Sequence, residues 1–125
     1  MVVKYYPHSL GSFYFKQEIL FFKYKPAQDV NLSQAKSVTK LRLRLQNNRA
    51  YPLFCFASNL LYIERDARVY FANQGVLLTK AVCFFTKHEA TTAIFHFFSL
   101  IHKPSIPVLI TPNKENGISF LKDFT

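Results

Sequence analysis

The sequence predicts an α/β domain: a mostly parallel sheet of about five strands, its first strand antiparallel to the second, with four helices. Three observations lead to it. Short runs rich in aromatic and β-branched residues alternate with stretches of helical period, in the order β β α β α β α β α. The later runs are apolar at successive positions, as strands buried on both faces are. Punctuating residues fall between elements, at Pro26, Pro52, Gly75, Pro104 and Pro107.

The first two strands lie in "SFYFKQEILFFKYKP", from Phe13 to Lys16 and from Ile19 to Lys25, with a tight turn at Gln17-Glu18 whose type is open because it lacks Gly or Asn. Pro26 ends the second strand. A helix follows, capped by Asn31 with Gln34 three residues on. Ala35, Val38, Leu41 and Leu45 form its inner stripe, and Lys36, Lys40 and Arg44 recur every four residues on the other side. "KLRLRLQ" also reads as an alternating strand, but the helical pattern is longer and capped. "YPLFCFAS" is a buried strand with Pro52 at its start. "ERDARVYFANQG" is a short helix with Ala67, Tyr70 and Phe71 inward, stopped by Gly75. "KAVCFFTK" is the next buried strand. "HEATTAIFHFFSLIHK" is a helix with Ala90, Ile94, Phe97, Phe98 and Ile101 on one face, and with Phe95 and Leu100 outside that face. Pro104 stops it and Pro107 opens the strand "PVLITPN", where a missing N–H does no harm. Asn113 caps a last helix with Ile118, Leu121 and Phe124 inward, weakened by ~1 kcal/mol at Gly117.

The 125 residues suggest a single domain, residues 1–125, with no internal repeat or long linker. At 50% hydrophobic the chain can bury a core without disulfide staples. Cys55 and Cys83 sit inside apolar runs at a spacing that fits no zinc or CxxC pattern. They predict two reduced, buried thiols in a cytoplasmic protein, the alternative being a disulfide or a reactive thiol. No N-terminal apolar signal is visible, and the apolar stretch Ala93 to Ile101 is too short for a membrane span.

Charge is unevenly spread. Residues 1–52 hold nine Lys or Arg against Glu18 and Asp29, whereas residues 53–125 hold seven against five acids. The asymmetry points to an anionic partner or to a solvated face. Lys36, Lys40 and Arg44 are the candidate anionic-partner surface, with Lys23, Lys25 and Arg49 near in sequence, for nucleic acid or anionic lipid heads. Chemistry is harder to find. His8, His88, His96 and His102 lack metal-ligand spacing, three glycines leave no phosphate loop, and Ser58 and Ser105 lack a nucleophile motif. Glu64 and Asp66 do not share a helix face, so they form no acid–base dyad; acids suit the first turn of a helix. No cofactor or metal is predicted.

This element order, with "FASNLLYIERDARVYFANQG" in the second βα unit, resembles the STAS domain, whose members include the anti-sigma factor antagonists of sporulation. "HKPSIPV" before a short final helix is similar to a family of short, functionally unassigned bacterial proteins with a SpoIIAA-like (STAS-like) fold. The resemblance covers nearly the whole chain, and the related fold includes the CRAL-TRIO lipid-carrying domains. It implies a non-enzymatic protein-interaction or regulatory module, with helices crowded on one side of the sheet. In the antagonists a Ser at the start of the second helix is phosphorylated. Here Asp66 stands at that switch position and Ala67 where a Gly follows, so the acceptor hydroxyl is missing and Asp66 is either a first-turn acid or a permanently negative copy of the phosphorylated state.

Strands apolar on both faces, with Phe95 and Leu100 as the candidate apolar interface, predict a homodimer that binds a further, unidentified protein. Two other readings stand beside it: a carrier of an apolar or lipid-like ligand, and an electrostatic binder of nucleic acid or anionic membrane through the first helix.

Overall fold

Six strands run through the main sheet in the order in which the chain makes them. The computed structural model describes residues 2–89, 91–93, 95–96 and 103–125. The strands are β1 (Tyr6–His8), β2 (Gly11–Lys16), β3 (Ile19–Tyr24), β5 (Tyr51–Phe56), β7 (Thr79–Phe85) and β8 (Val108–Thr111), adjacent in that sequence. β1, β2 and β3 pair antiparallel, and β3, β5, β7 and β8 pair parallel. Two short strands, β4 (Gln28–Val30) and β6 (Leu60–Ile63), form a separate parallel pair. The helices are α1 (Leu32–Gln46), α2 (Arg65–Asn73) and α3 (Lys114–Lys122), with further helical backbone at 91–93 and 95–96.

The predicted class is the observed one, with two corrections. The antiparallel part has two strands ahead of β3, because β1 is only three residues long, contains Pro7, and gives no periodic signal. The pair β4–β6 lies in what reads as connecting chain, since three or four residues are too few to show alternation. The turn between β2 and β3 puts both Gln17 (φ 52°) and Glu18 (φ 65°) in the left-handed region, as the two-residue turn that suits strand twist requires.

Strand order and handedness decide where the helices lie. Every parallel step moves one strand in the same direction, and right-handed crossovers then stay on one face. Phe13, Phe22, Ala35, Val38, Ala67 and Phe95 accordingly share one buried cluster beneath α1, α2 and the 91–96 segment. α3 follows the last strand and returns to the opposite face, where Leu121 packs on Ile19, Phe21, Phe54, Ala81 and Cys83. The expectation that helices crowd one side therefore holds for the crossovers and fails for α3, which covers the face over β5, β7 and β8.

Within the helices, local signals and packing agree unevenly. The Asn31–Gln34 capping box of α1 is formed in both directions, and the helix ends at Asn47 (φ 49°). Its buried face is Ala35, Val38, Thr39, Arg42 and Gln46, while Leu41 and Leu45 of the expected stripe are only partly buried. The stripe is rotated because Arg42 and Gln46 reach inward to backbone carbonyls. α2 buries Ala67 and Ala72, with Tyr70 and Phe71 packed at the margin of the core. Gly75 is not left-handed as a stop signal would make it. It is needed for close approach, since a Cβ there would lie 2.7 Å from the Phe71 backbone. Phe95 stacks on Phe84 with centroids 4.1 Å apart. Ala90, Ile94, Phe97, Phe98 and Ile101 of the expected inner stripe lie outside the described residues, as do Leu100 and His102.

Gly117 reverses its expected meaning. A Cβ at this position would meet Cys83 Sγ at 2.6 Å and Phe54 Cε2 at 2.8 Å, so a glycine lets α3 sit flush on the sheet. Gly117→Ala gains helix propensity of up to about 1 kcal/mol, yet overpacking a filled core costs about 1–3 kcal/mol. The variant is expected to be less stable than the native chain in chemical denaturation, by up to about 2 kcal/mol net of the propensity gain.

Candidate functional site

Ligands of open α/β sheets collect outside the carboxyl ends of the strands. Here β3 and β5 end beside the start of α3, and an open groove of about 560 Å³ lies between them. Its lining includes Tyr5, Tyr14 and Phe56, which a ladder of rings on β2, β3 and β5 links through the buried Phe21. Tyr5 meets Tyr14 edge-on at 5.2 Å, Tyr14 stacks on Phe21 at 4.8 Å, and Phe21 stacks on Phe56 at 6.2 Å. The alternation of β2 and β3 places Ser12, Tyr14, Phe21 and Lys23 on this face of the sheet, opposite to Phe13 and Phe22.

Three exposed lysines line the groove: Lys23, Lys25 and Lys114. Two of them approach the Phe56 ring, Lys114 at 5.3 Å and Lys23 at 6.0 Å from its centroid. No Asp or Glu is among the lining residues. Lys114 is the first residue of α3, just inside the Asn113 cap that accepts from the Asn116 N–H at 2.9 Å. A cation there opposes the helix dipole, whose positive end favours anions. The Phe56 ring beneath it and Glu115 in the same turn offset that opposition. Nearby, His8 joins β1 to α1 through Ser37 (2.9 Å), and burial followed by the charge of Lys25 lowers its pKa.

The expected surface is present but separate. Lys36, Lys40 and Arg44 are all exposed along α1. Among the described residues the one ion pair joins Arg49 to Glu18, on exposed side chains 3.0 Å apart, so these cations carry no acidic partner. Asp66 is exposed in the first turn of α2, and Glu64 is the N-cap without a side-chain cap bond; neither lines the groove. Phe95 corrects the expected apolar interface, because it is buried in the chain's own core at 2% exposure. Its ring packs on Phe84 inside that core. Large apolar side chains left exposed among the described residues are Val2, Tyr5, Leu61, Tyr62 and Leu77. No helix among those residues is long and apolar enough to cross a membrane, and no group of three or more metal-binding side chains is found among them.

The most consequential residue missed in the sequence is Arg42. It is 4% exposed and lines an apolar cavity of about 80 Å³ on the α1 face of the sheet. Its Nη1 donates to Gln46 Oε1 and to the Leu77 carbonyl (3.0 Å), and its Nη2 donates to the Gly75 carbonyl (2.9 Å). Burial lowers its pKa to about 10, against the opposing influence of Cys55 and Tyr70. A signal existed: Arg42 continues the row of Ala35 and Val38 at helical spacing, but the charge and the alternating "LRLRL" assign it outward.

The two cysteines face opposite ways. Cys55 is in register with Phe84, and Cys83 with Phe54, so Cys55 points into the α1 side and Cys83 beneath α3. Adjacent strands cannot join such a pair by a disulfide without turning one side chain through the sheet. Burial, with Cys83 next, pushes Cys55 up to about 12, and burial pushes Cys83 up to about 12. Folded thiols are thus held protonated above the unfolded value of 9.0. Between those values the unfolded chain sheds protons that the folded chain keeps, so stability falls as pH rises past 9, by at most about 1.4 kcal/mol per thiol per pH unit. Neither thiol is expected to react with an aromatic disulfide reagent at pH 8 until the chain is unfolded, when both should react.

Comparison with known proteins places these features. The family described as a domain of unknown function, DUF7793, matches residues 13–125. No curated protein matches the chain. Among solved structures, an uncharacterized protein of the DUF3478 family from Shewanella loihica PV-4, with a SpoIIAA-like fold, superposes with a TM-score of 0.60 at 10% identity. The match covers 96% of this chain and 92% of that one. It confirms the SpoIIAA-like fold and, at that identity, only the fold.

Proposed function

We propose that this chain, which belongs to the DUF7793 family of domains of unknown function, is a non-enzymatic interaction module that docks an acidic protein segment in the lysine-lined groove. One observation supports this above the others: Lys23, Lys25 and Lys114 converge on a groove whose lining holds no carboxylate. Unpaired ammonium groups repel one another, and a bound anion relieves that repulsion. The placement of Lys114 at the positive end of α3 adds to the same field. A SpoIIAA-like fold accords with a regulatory rather than a catalytic role.

The aromatic ladder favours a second reading. Tyr5 is 61% exposed and stands edge-on to Tyr14, which lines the groove beside the lysines. Rings flanked by cations are the elements with which proteins stack the bases of single-stranded nucleic acid. The stripe Lys36, Lys40 and Arg44 then serves either reading as a second electrostatic contact.

Fluorescence anisotropy with a labelled oligoglutamate peptide and a labelled thymidine oligonucleotide separates the two. The peptide should bind, weaken steeply with salt, and lose at least about tenfold in affinity in Lys23→Gln/Lys25→Gln/Lys114→Gln. The variant Lys36→Gln/Lys40→Gln/Arg44→Gln should lose less and remain as stable as the native chain. Tighter binding of the oligonucleotide, reduced by Tyr14→Ala, selects the nucleic-acid reading. Binding retained in the groove variant and indifferent to salt removes the electrostatic mechanism altogether.

A further inference from the structure

We propose that the apolar cavity beneath α1 is a binding site for a small monocarboxylate, whose carboxylate pairs with Arg42 and whose short hydrocarbon body fills the cavity. It lies across the sheet from the lysine-rich surface, the two linings sharing only Tyr24.

The walls are Phe13, Phe22, Val38, Cys55, Val82 and Phe84, an almost wholly apolar lining. Into that lining the chain sets one strong cation and no acid. Buried charges are ordinarily paired, because an unpaired one forfeits its hydration without return. Arg42 is 4% exposed, and its acceptors are all neutral: one amide oxygen and two backbone carbonyls. A guanidinium has five N–H donors. Three are spent on those acceptors; Nε–H and one Nη2–H have no acceptor among the described residues, and Nε is not shut off from solvent, so an incoming ligand can reach it. Nε and Nη2 are neighbouring nitrogens of one rigid plane, the edge of a guanidinium that the two oxygens of a carboxylate match.

The backbone contacts make the site a prepared one. Gly75 and Leu77 hold the guanidinium from the loop after α2, and Gln46 holds it from the next turn of α1. The ligand therefore meets a fork already fixed in place, with little ordering left to do. Size limits the partner. An apolar cavity of about 150 Å³ holds benzene, and this one is about 80 Å³. The body is accordingly short, about three to five carbons, branched or straight. A polyanion does not fit, and a long-chain lipid exceeds the space.

The test uses the full chain, titrated with acetate, isovalerate and octanoate, and with isoamyl alcohol as the uncharged match of isovalerate. Binding is followed by the Nε–H resonance of Arg42 in ¹⁵N-edited NMR and by thermal shift. Isovalerate should saturate with a dissociation constant of about 1 mM or tighter, move the Arg42 resonance, and bind at least about tenfold more tightly than the alcohol, acetate or octanoate. Arg42→Met, if folded, should bind isovalerate no more tightly than isoamyl alcohol. Should that variant not fold, the native chain decides alone. An Arg42 resonance unmoved at about 10 mM isovalerate, an alcohol that binds as well as the acid, or a folded Arg42→Met that still prefers the acid overturns the proposal.

Discussion

The rest of the structure depends on handedness. Because each parallel strand is added on the same side of its predecessor, and each crossover is right-handed, three connections are committed to one face of the sheet. That face acquires α1, α2 and Phe95, a deep core, and a cavity where the layers do not close completely. The other face is left to whatever follows the last strand, and a single nine-residue helix has to cover it. Gly117 is the local consequence, since a short helix protects most surface when its backbone lies directly on the rings. The groove is another: α3 packs chiefly on β5, β7 and β8, so Phe21 is covered while Tyr14 and the exposed Tyr5 line the groove.

Charge is distributed by the same geometry. A chain of net charge +9 has one ion pair among its described residues, and its cations include a stripe along α1, a cluster at the strand ends, and one buried guanidinium. The first is a solvent-facing row whose members repel mildly. The second is concentrated by concave walls and a helix terminus, where a given charge has more effect. The third is held by carbonyls in a low-dielectric layer. The three differ in reach, salt sensitivity and the size of anion they admit, although the residue types are the same.

Much of this was legible in the sequence. The strands from β2 onward in the main sheet, the Asn31 and Asn113 caps, Pro107 ahead of β8 and the two buried thiols follow from period and punctuation. What escaped did so for definable reasons. β1, β4 and β6 are too short to carry a period, and β4 and β6 owe their existence to a partner thirty residues away. Gly117 reads as a weak helix residue because the collision it avoids is with Cys83 and Phe54, which no local pattern reveals. Arg42 reads as a surface cation because its acceptors are backbone carbonyls, which have no signature in a sequence. The groove joins Ser12, Lys23 and Lys114 across most of the chain, and only the sheet brings them together.

The dependence of one face on α3 also shapes how the chain folds. α3 follows every strand in chain order, so as the chain folds the sheet can form while Phe54, Phe56 and Phe85 still lack their cover. For that interval the partly folded domain presents a broad aromatic surface, the kind of surface on which folding chains associate with one another or with chaperones. A variant that slows or weakens the docking of α3 is therefore expected to lose folded chain through association, even where the α1 face is intact.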